Sequence, residues 1–245
     1  MKLKTSKPVV NSLWIDPVMG EMQLMCLRSF LEKGMSFHLY TYNHIQHLPE
    51  GIVIKDANTI LDKKEIFIDN KNSYATFSDW FRIKLLYKIG GWWVDCDTYC
   101  IRKFDLDLPY VFATERYWAN NEMNTYICNA VIRMPSGTRL AENILTVVEK
   151  RLNTKKYDDI VWTELGAKVL ADNIISENLM DYVVRPEVFC PIDYSNFKQL
   201  TDKEDISFEE ITYGVHLWNK MWEWNKLNPM RVAKERSFIQ KATGA

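Results

Sequence analysis

The sequence predicts an α/β protein whose sheet contains parallel pairing, and three observations predict it. The chain opens strand–helix–strand and then adds another short strand. Its first strand is apolar and β-branched enough to be buried. Two acidic residues follow a later apolar strand, where ligands sit in open α/β sheets.

Taken in order, residues 8–15 (PVVNSLWI) read as the buried strand, broken by Asp16 and Pro17. Met22, Met25, Cys26 and Phe30 recur at helical spacing over residues 21–33, and Gly34 supplies a C-cap. SFHLYTYN and IVIKDA are the next two strands, and residues 56–72 read as a loop or short helix. Residues 76–89 give the clearest helix, with Phe81, Leu85, Leu86 and Ile89 as its apolar stripe. Thr76 or Ser78 is its expected cap, and Asp79 falls in its first turn. Gly90 and Gly91 end it. They read as a tight turn, with a phosphate-holding nest as the alternative. WWVDCD, YVFATE and NAVIRM are strands, the last closed by Pro135, Ser136 and Gly137. Residues 138–152 and 163–175 read as helices, and strands are expected near 182–185 and 211–215. With no repeat, low-complexity run or linker, residues 1–245 are expected to form a single domain ending in a basic tail at about 226–245.

Composition limits the function classes. A hydrophobic fraction of 47% and a charged fraction of 26% are those of an ordinary globular protein. A formal net charge of -1 gives no electrostatic case for nucleic acid as a partner. Nine Trp, twelve Tyr and eleven Phe are enough to line a sugar or base site as well as to fill a core. The five cysteines match no disulfide framework, and Cys96 and Cys100 lack the further ligands of a zinc site. Reduced thiols and the absence of a signal-peptide pattern in MKLKTSKPVVNSLWID point to the cytoplasm. No run approaches a membrane-spanning length. The tail carries Lys226, Arg231, Lys234, Arg236 and Lys241 against Glu235. It is either a contact for the anionic inner membrane face or a solvated, frayed end.

The chemistry lies in SDWFRIKLLYKIGGWWVDCDTYC. Strand alternation puts Asp95 and Asp97 on one side at a strand's C-terminal end. Two carboxylates so close repel unless a cation relieves them, and Mg²⁺ or Mn²⁺ with a diphosphate completes such an oxygen-rich site. A DxDxT phosphotransferase is the weaker enzyme reading, because Thr98 comes one position too early and the motif lies mid-chain.

The helix Asp79-x-x-Arg82, then Leu85 or Leu86, Gly90-Gly91, Trp92 or Trp93 and Asp95-x-Asp97 resembles the DxD region of one glycosyltransferase family. That family includes Och1-type mannosyltransferases, α-1,4-galactosyltransferases and bacterial capsule and lipooligosaccharide enzymes. It is distantly similar to the glucosyltransferase domain of the large clostridial toxins. SLWI, NAVIRMPSGTRL and YGVHLWNKMW extend the resemblance along the chain, whereas Gly166-Ala167 stands where Gly-Pro is common. The resemblance implies a GT-A fold: one Rossmann-like domain, a mixed, mostly parallel sheet and a C-terminal lid segment. It implies a retaining, metal-dependent transfer of a hexose from a nucleotide sugar, with UDP-sugars favoured. The implied acceptor is a saccharide or glycolipid in cell-surface polysaccharide synthesis.

By the same resemblance Asp79, Arg82 and Asn129 bind the donor sugar. Trp14, Asp95 and Trp218 bind the nucleotide, and Asp95, Asp97 and His216 bind Mn²⁺ or Mg²⁺. Each has an ordinary alternative: a surface ion pair for Asp79 and Arg82, a core ring for Trp14, a turn residue for Asn129 and a core histidine for His216. Trp218, Trp222 and Trp224 form a lid or pack a helix. Glu115 and Glu164 are candidate acid–base groups without decisive context. Variable loops at 112–126 and 186–212 are expected to set specificity. The competing functions are a catalytically silent nucleotide-sugar-binding protein and an effector that glycosylates a protein.

Overall fold

In the computed structural model, residues 7–156, 159–161 and 164–244 are described. Eight strands and eight α-helices are named here in chain order. Strands β1 (Val9–Trp14), β2 (Ser36–Thr41), β3 (Val53–Asp56) and β4 (Gly91–Val94) are mutually parallel. Strands β7 (Glu122–Met134) and β6 (Val111–Ala119) continue the sheet antiparallel, giving the order β3-β2-β1-β4-β7-β6. The sheet is therefore mixed and mostly parallel.

Both faces are covered. The neighbouring rings Trp92 and Trp93 point to opposite sides of β4, and each is fully buried in a different cluster. Helix α1 (Glu21–Glu32) covers the Trp92 side with Met22, Cys26, Leu27 and Phe30. Helices α2 (Ala75–Ile89), α3 (Arg139–Thr154) and α4 (Ala167–Ser176) cover the Trp93 side. The helix expected at 163–175 thus begins at Ala167, and Thr163 lies outside the described residues.

Four local expectations are corrected. Neither Thr76 nor Ser78 caps α2. The Ser73 hydroxyl accepts from the Ala75 N–H, while the Thr76 hydroxyl donates to buried Asp69. Asp79 therefore sits beyond the first turn, inside the protein. Residues 112–126 are a long hairpin rather than a variable loop, closed at Asn120 and Asn121, both in the left-handed region (φ 53° and 60°). The strand expected near 182–185 reduces to a short 3₁₀ turn and one bridge from Phe112 to Val183. The basic tail is docked rather than frayed. Ile239 is fully buried, Arg236 and Lys241 pair with Asp205, and Lys234 pairs with Asp202. Three of the five tail cations, Lys234, Arg236 and Lys241, are thus paired within the chain.

Gly90 and Gly91 form a turn. Gly90 ends α2 at φ 66°, and a Cβ there would lie 2.5 Å from the Ser136 backbone nitrogen, so the turn docks against residues 135–136. This delivers β4 to the centre of the sheet. Beyond it lie β5 (Thr98–Cys100), α5 (Gln199–Asp202), β8 (Gly214–His216), α6 (Asn219–Trp224), α7 (Pro229–Val232) and α8 (Phe238–Ala242). β5 and β8 pair antiparallel with Thr98 opposite His216, which brings the C-terminal segment onto the acidic turn. Among the described residues no helix is long and apolar enough to cross a membrane.

Candidate active site

Strand β4 stops at Val94, one residue short of the acidic pair. The Asp95 N–H still bonds the Ala130 carbonyl (2.8 Å). The Thr98 N–H then returns to the Asp95 carbonyl (2.9 Å), closing a tight turn. Asp95 and Asp97 converge because of this turn and not through strand alternation. With His216 they form a cluster whose candidate ligand atoms all lie within 4.8 Å of one another.

Each member is held by a different element. Asp95 accepts from the Trp93 indole (2.9 Å) and lies 3.2 Å from the Arg82 guanidinium. Asp97 accepts from the Asn219 N–H (2.8 Å) and faces His216 Nε2 at 3.3 Å. The His216 ring packs at a 44° tilt against Trp218 with centroids 4.1 Å apart, and its Nδ1 is buried without a hydrogen-bond partner. Burial pulls the His216 pKa down, but Asp97, Asp95 and Glu115 outweigh it and raise it to about 9. Burial pushes Asp97 up, and His216 with the Asn219 N–H more than reverses this. Burial and the neighbouring Asp97 hold Asp95 above its ordinary value against the pull of Arg82. An oxygen- and imidazole-bearing set with excess negative charge and an unpartnered ring nitrogen suits a divalent cation.

Arg82 organises the second half of the site from inside α2. It is 4% exposed and lies 3.2 Å from both Asp79 and Asp95. It also donates to the carbonyls of Ser78 and Asn129, and its guanidinium lies over Trp93. The surface ion pair weighed from sequence is therefore a buried network. Asn129 on β7 donates to Asp79 (2.7 Å). Burial is the main cause raising Asp79 to about 7, with Arg82 opposing it.

Gly166 closes this corner. It precedes α4, and a Cβ there would lie 2.4 Å from the Asp79 carboxylate and 2.8 Å from the Asn129 amide. Ala167 occupies the first helical position, where Pro is also tolerated, so the Ala-for-Pro departure leaves the backbone unperturbed. Gly166→Ala should push Asp79 and Asn129 apart and destabilise the protein by roughly 1–3 kcal/mol. Chemical denaturation checks this, and an unchanged midpoint would refute it.

These groups line one pocket of about 990 Å³ with Trp14, Glu115, Tyr117, Tyr126, Trp218 and Trp224. Trp14 is half-buried and its indole donates to the Val18 carbonyl (3.1 Å). Trp218 and Trp222 are buried, with their N–H groups bonded to Ile192 and Leu217. Trp218 thus forms part of the pocket wall in this structure, and of the three tryptophans Trp224 is the half-exposed one. Glu115 faces the pocket, and burial raises its carboxyl to about 7. Glu164 lies elsewhere, paired with Arg151 and Lys155. Sequence reasoning treats 112–126 as a loop and so misses Tyr117 and Tyr126. The Asn120-Asn121 turn between alternating segments is the signal that finds them.

The site also predicts a pH dependence for the metal-free protein. His216 is raised above its ordinary 6.5 to about 9, so its contribution is complete below 6.5 and lost as pH rises through about 9. Asp79 and Glu115, raised to about 7, act in the same direction at lower pH. Asp97, held low, contributes above its ordinary value and loses this as pH falls. The melting temperature in chelator should therefore fall from about pH 6 to about pH 10, and His216→Gln should flatten the alkaline part. A flat wild-type profile would refute the pairing.

The chain matches two family models. Residues 21–118 match the glycosyltransferase sugar-binding region containing the DXD motif, and residues 149–242 match the α-1,4-glycosyltransferase conserved region. The first span holds Asp79, Arg82, Asp95 and Asp97, and the second holds His216 and Trp218. "Subversion of eukaryotic traffic protein A" of Legionella pneumophila subsp. pneumophila is 21% identical over 160 residues. The match takes in 58% of this chain and spans 24% of that protein. Among solved structures, the PaToxG glycosyltransferase superposes with a TM-score of 0.51 at 16% identity, over 70% of this chain and 69% of that one. GlyE of Streptococcus pneumoniae TIGR4 superposes with a TM-score of 0.43 at 15% identity, over 93% of this chain and 62% of that one.

Proposed function

From the premise that this chain is a glycosyltransferase of GT-A fold carrying a DXD sugar-binding region, we propose that it transfers a hexose from a nucleotide sugar with the help of a divalent cation. One observation carries the reading: the Asp95–Asp97–His216 cluster and the Asp79–Arg82–Asn129 network share a single pocket. Asp95, Asp97 and His216 would hold Mn²⁺ or Mg²⁺. The ion, when bound, neutralises charge on the leaving nucleoside diphosphate.

The chain's own residues do the rest. Asp79 and Asn129 present an acceptor and a donor toward sugar hydroxyls, and Arg82 fixes both by bonding the backbone of one and the carboxylate of the other. Trp14 offers its ring to the base while its N–H is tied to Val18. Trp218 keeps the His216 ring in place and closes the pocket against water. With a UDP-α-hexose donor the product should be α-linked.

The acceptor is a saccharide or glycolipid on this reading. The Legionella relative, whose name declares subversion of eukaryotic traffic, favours a second reading in which the acceptor is a protein. A thermal-shift screen of UDP- and GDP-sugars with Mn²⁺, followed by transfer and hydrolysis assays, tests the donor. Stabilisation by a UDP-sugar that depends on Mn²⁺ is the expected result. No stabilisation and no hydrolysis with any donor would leave a silent binding fold.

A further inference from the structure

We propose that Glu115, Cys128 and Cys190 form a second metal site, suited to a soft divalent ion of the Zn²⁺ class. The site is chemically distinct from the Asp95–Asp97–His216 set. The carboxylate and the two thiols lie within 4.8 Å of one another, and all three residues are buried. Tetrahedral zinc binds sulfur at about 2.3 Å and carboxylate oxygen at about 2.0–2.2 Å, so a small inward movement of the side chains closes the site.

Three independent pieces of backbone bring the ligands together. Glu115 is on β6, opposite Tyr126, and Cys128 lies two residues beyond Tyr126 on the same face of β7. Cys190 comes from the loop over that face, where its N–H bonds the Pro186 carbonyl (2.7 Å). The same loop is braced on both sides. Phe189 accepts from the His216 N–H and Ile192 accepts from the Trp218 indole. Cys190 is therefore presented by a fixed loop.

The Glu115 carboxylate is free to take a ligand from the pocket side. Among the described residues no hydrogen bond or ion pair reaches the Glu115 side chain, although Glu115 is only 8% exposed. Two thiolates and one carboxylate at this spacing would together hold a bound ion. Soft sulfur ligands select Zn²⁺ over Mg²⁺ and Mn²⁺, which prefer oxygen. Because Glu115 and Cys128 line the pocket, the fourth position opens toward it, as in three-ligand zinc sites that keep a water. On binding, the two S–H bonds break, two metal–sulfur bonds and one metal–oxygen bond form, and two protons pass to solvent. A third proton follows wherever Glu115 starts protonated.

The test uses reduced full-length protein in excess Mg²⁺, titrated with Cd²⁺ as a spectroscopic stand-in for zinc. A thiolate-to-metal ultraviolet band should saturate at one ion per chain with release of two or three protons. Cys128→Ser and Cys190→Ser should each weaken the band and lower Zn²⁺ affinity in a chelator competition by more than ~10–100-fold, the cost of losing only an outer partner. Cys26→Ser and Cys100→Ser should leave both unchanged. Glu115→Gln guards against misfolding of the cysteine variants. It keeps both thiols, so the band should remain while Zn²⁺ affinity falls. No stoichiometric band in the wild type, or Zn²⁺ affinity unchanged in Glu115→Gln and Cys190→Ser, would overturn the proposal. These readouts are independent of transferase activity, so they stand or fall apart from the donor reading.

Discussion

Asp97→Asn should reduce sugar transfer by at least ~100-fold, equivalent to roughly 3 kcal/mol of transition-state stabilisation. The substitution is nearly isosteric and keeps an acceptor for the Asn219 N–H, so the backbone of the turn has no reason to move. It removes the charge that faces His216 and that a divalent ion would use. The variant should still fold, melting somewhat below the wild type in chelator because the Asp97–His216 pair is lost, and it should lose the further stabilisation that Mn²⁺ with donor confers. Activity assays and melting curves with and without Mn²⁺ provide the check. Full wild-type activity in excess chelator would end the metal-dependent reading.

Arg82→Met should have the largest effect on the fold, about 3–5 kcal/mol of destabilisation. The guanidinium is the cation shared by two carboxylates, buried Asp79 and half-buried Asp95, and it also satisfies the carbonyls of Ser78 and Asn129. Without it, Asp79 must take up a proton or remain uncompensated in the interior, and Asp95 loses its cationic neighbour. Arg82→Lys keeps the charge, but one ammonium cannot reproduce the planar fork that spans four partners, so most of the loss should persist. Denaturant unfolding of both variants measures this. Lys behaving like wild type would show that charge alone, and not the fork, holds the network.

How much of this was legible depended on sequence distance. Asp79 and Arg82 could be paired because one helix sets their spacing, although their burial could not be read: α2 is apolar around much of its circumference. Asp95 and Asp97 could be located but for an incomplete reason. The alternation rule assumes a strand continuing through Asp97, whereas the chain turns at Asp95 once its N–H has found Ala130. The parallel strands β1 and β2 were readable from apolar runs, but the hairpin of β6 and β7 was not. Its polar outer half resembles a loop unless Asn120-Asn121 is recognised as a turn. The burial of Trp218 rests on a carbonyl at Ile192, which no local pattern contains. The meeting of Cys128 with Cys190 is likewise a product of tertiary packing.

The pairing of the acidic turn with β8 has a consequence for how the protein is made. Asp97 and Asn219 are 122 positions apart, and the Thr98–His216 strand pair spans a comparable distance. During translation the two carboxylates emerge from the ribosome well before the histidine that completes their cluster. The nascent chain can therefore form much of the early sheet while the pocket still lacks one side. Such long-range closure is slow to find, because a large loop must be ordered before any of its contacts form. The pocket is then completed late, when the last strand docks. A partly synthesised or C-terminally clipped chain lacks the side of the pocket that His216 and Trp218 form.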